Sequence, residues 1–262
     1  MNRIFVREEA EELYAAKKSR QKIGIVGMSA GAGTSFISSS LAKHLSKEKG
    51  QRVAFVEACT DSSSERYIYD SLGMDKRFAG RAFYDFYHEM KEGRSVSGLV
   101  NLDEKINWAL RVPSMTGQYR DNIKIEPIEM CRIINNITAD IIVCDLTTSH
   151  DTEEIIREMD LIIFVIDPLP SKLISGYPSL CQMKNLEMKG QKIIWLVNKY
   201  NEGVNKREFN TFIKVKNYII VPMVQQQSFY LAEYNCRIPY SVKSIAEVMT
   251  EPLEKIKLQI EF

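Results

Sequence analysis

A doubly wound α/β fold, with a mostly parallel sheet of about seven strands and helices on both faces, is the architecture this sequence predicts. Three observations carry the prediction. Apolar runs recur along the chain, each is apolar on consecutive rather than alternate residues, and helical patterns separate most of them. Strands covered on both faces read this way, because neither face meets water. A ligand of such a sheet belongs beyond the carboxyl ends of its strands.

VREEAEELYAAKKS, residues 6–19, is acidic early and basic late and places Val6, Ala10, Leu13 and Tyr14 on one side, so residues 1–20 read as an N-terminal helical extension. KIGIVG, with Ile23, Ile25 and Val26, is the first strand. It runs into GMSAGAGTS, from Gly27 to Ser35, and then into a helix on which Phe36, Ile37, Leu41 and Leu45 recur at helical spacing. Gly50 marks a stop before the second strand, Val53 to Val56, which ends in Glu57, Ala58 and Cys59. Residues 60–104 are less regular: TDSSSER reads as a loop, and YIYDSLG and FYDFYHEMKEG as short helices. The aromatic cluster Phe83, Tyr84, Phe86 and Tyr87 is core or a partner surface. Ile106 to Pro113 is the third strand, followed by a helix carrying Ile128, Cys131, Ile134 and Ile137. Ile141 to Cys144 is a strand that delivers Asp145 at its end; Leu161 to Pro168, Lys192 to Lys199 and Tyr218 to Pro222 are the last three. The closing stretch places Leu253, Ile256 and Ile260 on one helical face. Glu251, Glu254 and Glu261 offset its lysines and no Trp anchors it, so it should fold back on the domain rather than bind membrane. With no repeat, low-complexity segment or linker, residues 1–262 should form one domain.

Composition narrows the function. Lys and Arg number 35 against 34 Asp and Glu, a net charge of +1, which argues against a general electrostatic hold on nucleic acid. Cys59, Cys131, Cys144, Cys181 and Cys236 show no paired spacing and read as free thiols in a reducing compartment. His44, His88 and His150 are equally scattered and give no zinc pattern. No apolar stretch approaches the ~20 residues that span a bilayer. A cytoplasmic location is the expectation.

The stretch from Gly27 to Ser35 carries the chemistry. A strand, a small-residue turn and a helix in succession can hold a phosphate, since glycines let the backbone approach and helix N-terminal amides face the anion. Taken alone, such a turn is equally a common strand-to-helix connection. Against the full pattern G-x-x-x-x-G-K-[ST], Gly33 takes the second glycine's place, Met28 that of the first, Thr34 that of the lysine and Ser35 that of the hydroxyl.

IGIVGMSAGAGTSFISSSLAKHL, VAFVEAC, IIVCDLTTS, LIIFVID, IIWLVNK and IIVPMVQQQSFYLAEYNCRIP resemble, in order, the strand-end motifs of the MinD/ParA (SIMIBI class) P-loop ATPases. Within that group the resemblance is nearest to the ATPase half of the TadZ/CpaE pilus-assembly proteins, which have an atypical phosphate loop. The resemblance implies ATP or ADP with magnesium, bound by Gly31, Ala32, Gly33, Thr34 and Ser35. Ser35 and Asp145 would hold the metal, Asn198 would read the adenine edge, and Pro222 with the residues after it would cover the base. Ser35 as an ordinary helix-start residue, and Asp145 and Asn198 as strand-end turn residues, remain the alternatives. Family members dimerise face to face around two nucleotides, so the resemblance also implies a homodimer.

The departures bear on activity. The family's cross-subunit lysine falls at Ser29, its second lysine at Thr34, and the water-activating acid of VAFVEAC at Cys59, with Glu57 in the neighbouring acidic place. Phosphoryl transfer depends on positioning and electrostatics, and loss of one stabilising group costs about 3 kcal/mol of barrier. Two functions follow as expectations. One is a localisation or assembly scaffold, of pilus or secretion type, with vestigial ATP binding and no catalytic residue. The other is a slow positioning or partition ATPase that recruits a basic residue from elsewhere, such as Lys172, Lys199 or Arg237.

Overall fold

The computed structural model describes residues 20–58, 67–73, 101–103, 106–110, 125–146 and 153–260. In chain order these form β1 (Gln21–Gly27), α1 (Thr34–Leu45), β2 (Val53–Ala58), α2 (Tyr67–Ser71), β3 (Asn101–Asp103), β4 (Ile106–Ala109), α3 (Pro127–Asn136) and β5 (Ile141–Leu146). They continue with α4 (Glu153–Arg157), β6 (Leu161–Ile166), α5 (Pro170–Ser175), α6 (Tyr177–Met188), β7 (Ile193–Tyr200), α7 (Lys206–Ile213), β8 (Ile219–Pro222), α8 (Gln226–Tyr234) and α9 (Lys243–Ile260). The expected helix over residues 6–19, the aromatic cluster from Phe83 to Tyr87, and Cys59 lie outside the described residues.

The strands form one sheet in the order β3-β4-β2-β5-β1-β6-β7-β8. Seven of them run parallel, as the doubly apolar runs demand. The eighth, β3, is antiparallel to β4 at the edge. Its three residues, Asn-Leu-Asp, carry no apolar run, which is why the sequence pattern passed over it. β1 is central, and the chain winds outward to β4 on one side and to β8 on the other. The carboxyl ends of β1, β5, β6 and β7 therefore converge on one edge.

Each face of the sheet carries its own core. On one, Ile23 and Ile25 of β1, Phe55 of β2 and Val143 of β5 pack with Ile37 and Leu41 of α1 and with Met249, Leu253, Ile256 and Ile260 of α9. On the other, Val26, Ala54, Cys144, Phe164 and Val197 meet Ile133 and Ile134 of α3, Ile155 of α4 and Phe209 of α7. All four apolar positions expected for α1 are buried. The closing helix folds back as expected, with its apolar face spent on the core.

One helix faces differently from the expectation. In α3 the buried residues are Met130, Cys131, Ile133 and Ile134, whereas Ile128 is 57% exposed. At about 100° per residue, Ile128 lies nearly opposite the stripe centred on Met130 and Ile134. The helix begins at Pro127 behind a capping box, in which Glu126 and Glu129 satisfy each other's backbone N–H groups.

Candidate functional site

The turn after β1 has the geometry of an anion cradle. Gly31 (φ 77°) and Gly33 (φ 95°) are left-handed, a conformation that glycine adopts without the cost a Cβ imposes. Gly33 is the N-cap of α1, so the first amides of a twelve-residue helix open onto the turn.

Three consecutive carbonyls of the turn are held from outside it. Lys172 Nζ donates to Ala30 O at 2.9 Å, Lys199 Nζ to Gly31 O at 2.5 Å, and Asn198 Nδ2 to Ala32 O at 2.8 Å. Because each trans peptide points its carbonyl and the following N–H in opposite directions, fixing these oxygens outward turns the amides of Gly31 and Gly33 the other way. Among the described residues neither amide has an acceptor. The intervening amide, that of Ala32, is closed onto Ser29 O at 3.1 Å. The contact below Gly33 is close enough that an added Cβ would overlap Asn198 Nδ2.

The strand ends that reach the turn are themselves braced. Lys199 is left-handed (φ 57°) in spite of its side chain, which brings its ammonium within 2.8 Å of Asp167 Oδ2 as well as onto the loop. Asp167 is 6% exposed and its other oxygen accepts the N–H of Leu169, the N-cap residue of α5, at 3.1 Å. At the far end of α5, Gly176 lies where a Cβ would come within 2.5 Å of both Met28 Cγ and Met28 O. Met28 is buried and its N–H donates to Val165 O at 2.8 Å, so the residue in the first glycine's place is a packing residue.

The acidic side of the site lies under α1. Asp145 pairs in register with Ile25 of β1 and Glu57 of β2 and points to the same face as both. Burial pushes its carboxyl up to about 6, against the opposing pull of hydrogen bonds from Ser35 and Ser38. A buried carboxylate beside a helix-start hydroxyl suits a hard cation that would favour its ionised form. Glu57, also buried, accepts the N–H of Ile68 at 3.1 Å and so holds the N-terminal turn of α2.

The site residues expected from the sequence are thus placed as follows. Gly31, Ala32, Gly33, Thr34 and Ser35 line one turn, with Ser35 beside Asp145. Thr34, in the lysine's place, turns its hydroxyl back toward Gly27, where an added Cβ would lie 2.6 Å from it. Asn198 lies beneath the loop, its amide committed to Ala32 O. Pro222 closes β8 in register with Tyr200, exposed on the same sheet edge. Of the three basic residues that could substitute for the lysines, Lys172 and Lys199 reach the loop, while Arg237 is exposed and makes no side-chain contact with it. No sequence pattern marks the part played by Asp167 and Gly176; the nearest signals are the Asp-Pro that follows β6 and a lone glycine between two helical runs.

A cavity of about 610 Å³ lies at the opposite end of the sheet, lined by Lys184, Trp195, Lys214, Tyr218 and Gln259. It sits at the amino ends of β7 and β8, away from the edge where such sheets bind ligands. Among the described residues no cluster of three or more His, Cys, Asp or Glu could hold a metal, and no helix is long and apolar enough to cross a membrane.

No family model matches the chain, and no curated protein does. Solved structures do. The septum site-determining protein MinD of Pyrococcus horikoshii, complexed with Mg-ADP, aligns with a TM-score of 0.69 at 15% identity over 91% of this chain and 96% of that one. The MinC:MinD cell division complex of Aquifex aeolicus gives 0.67 at 14% identity over 90% and 95%. A putative plasmid partition protein of Borrelia burgdorferi bound to AMPPNP gives 0.62 at 16% identity over 89% and 99%. At these identities the likeness is one of architecture: the chain has the P-loop NTPase-like fold of the MinD/ParA ATPases.

Proposed function

We propose that this protein is a localisation or assembly scaffold built on the MinD/ParA fold, a single domain over residues 1–262 that binds ATP or ADP with magnesium weakly and hydrolyses it negligibly. One observation carries the reading. The turn from Gly31 to Ser35 keeps the backbone shape and the Ser35–Asp145 pair, while Ser29, Thr34 and Cys59 stand where the resemblance requires charged groups. Shape and metal suffice to bind a nucleotide; stabilising the transferring phosphoryl group needs the charges. Gly31, Gly33, Thr34 and Ser35 bind the phosphates through their amides, and Ala32 lines the same turn with its own amide held by Ser29 O. Ser35 and Asp145 hold magnesium, and Asn198 and Pro222 border the base. The Aquifex relative named above occurs with a protein partner, and a partner of pilus or secretion type fits the TadZ/CpaE resemblance of this loop.

The expected self-association follows from the same loop. Ser29, Ala30 and Gly31 are small and uncharged, so the loop carries no lysine of its own to repel its counterpart when two copies meet there, and the dimer forms without nucleotide. Light scattering on nucleotide-stripped protein should show it; a monomer that dimerises only with ATP would contradict it. A slow ATPase is the second reading, favoured by the two lysines that reach the loop. Phosphate release separates the two: the scaffold reading requires turnover indistinguishable from that of Asp145→Ala, and turnover abolished by that substitution would establish the ATPase.

A further inference from the structure

Resting on the nucleotide-binding reading, we propose that Lys172, on α5, supplies from outside the loop the positive charge that the loop itself lacks, and is a ligand of the outer phosphates. The two lysines at the turn are not equivalent. The ammonium of Lys199 spends one donor on Gly31 O and another on Asp167, which neutralises its charge. Its work is to position the loop. The ammonium of Lys172 has a single polar partner among the described residues, Ala30 O, and no acidic one. An ammonium has three donors, so two remain for phosphate oxygens.

The placement is built. α5 is fixed at its start by the Asp167–Leu169 cap and at its end by the packing of Gly176 on Met28. Lys172 lies between these two constraints, with its side chain half-buried. It meets the loop at Ala30, the residue after Ser29, which stands where the resembling family has its cross-subunit lysine. A side chain on a neighbouring helix thus reaches the stretch from which the loop's own cation is missing. Lys172 carries charge to a turn whose nine residues, Gly27 to Ser35, include no charged side chain. Its range is short, because water screens an exposed charge within about 10 Å at ordinary salt.

Titration calorimetry on the full chain with Mg-ATP, Mg-ADP and AMP tests this, with Lys172→Met and Lys172→Arg compared at equal folded fraction. The methionine variant should lose on the order of tenfold in Mg-ATP affinity, as expected for one charge-assisted hydrogen bond. AMP affinity should not change, and arginine should restore most of the loss. Unchanged Mg-ATP affinity in Lys172→Met would overturn the proposal. So would an equal loss for all three nucleotides, which would make Lys172 a prop for the loop and nothing more. Failure of the unaltered protein to bind Mg-ATP at all would remove the nucleotide reading itself, and this inference with it.

Discussion

The turn from Gly27 to Ser35 and the strand ends around Asp167 and Asn198 are complementary halves of one site. The turn has shape and no charge; the strand ends have charge and amide donors. In a loop with its own lysines, one short stretch holds both the backbone cradle and the cations. Here three carbonyls in a row are positioned by Lys172, Lys199 and Asn198. The shape of the turn is thus set by left-handed glycines and outward-held carbonyls, while the charge around it comes from side chains outside it.

The largest way to break this arrangement is Gly33→Ala. The substitution forces a side chain into φ 95° and onto Asn198, and should cost about 2 to 4 kcal/mol in urea unfolding. Unchanged stability would mean that Asn198 does not hold the loop. Asp145→Asn should act in the opposite direction. A carboxyl raised from 3.8 to about 6 by burial binds its proton more tightly in the folded state, so the empty protein loses stability as pH rises from 3.8 to 6 and stays lower above that. Asparagine should recover up to about 3 kcal/mol at pH 7.5 and almost nothing below pH 4. A gain independent of pH would assign the effect to packing. Lys199→Met should be smaller still. It leaves Asp167, whose side chain is 8% exposed, without its cation, but the lysine end is 41% exposed and already screened. A loss of about 1 to 2 kcal/mol is expected. No loss would show that the Leu169 N–H alone satisfies the carboxylate.

Much of this architecture was legible in the residues because it rests on local pattern. The buried strands announce themselves as unbroken apolar runs, and Ser35 and Asp145 sit where a strand-turn-helix and a strand end must put them. The tethers were legible only as candidates. Lys172, Lys199 and Arg237 are alike as letters, but Lys199 reaches the loop through a left-handed backbone that no propensity favours for lysine, and Lys172 through a short helix braced at both ends. Arg237 lies beyond α8, with no such constraint directing it to the loop. The resemblance places Asn198 at the base; that its amide also donates to Ala32 O is a contact that only the crossing of β7 beneath the loop creates. Met28 looks like a defect in the loop until Gly176, far along the chain, is seen to leave room for it.

On the proposed reading, nucleotide is held by loop amides and by magnesium between Ser35 and Asp145, without a lysine in the loop. Titration calorimetry of nucleotide-stripped protein with ATP, in the presence and absence of magnesium, decides it. Binding should depend strongly on the metal, at least tenfold tighter with magnesium, as expected when a buried carboxylate and a hydroxyl hold the ion that joins them to the phosphates. Equal affinities with and without magnesium would contradict it.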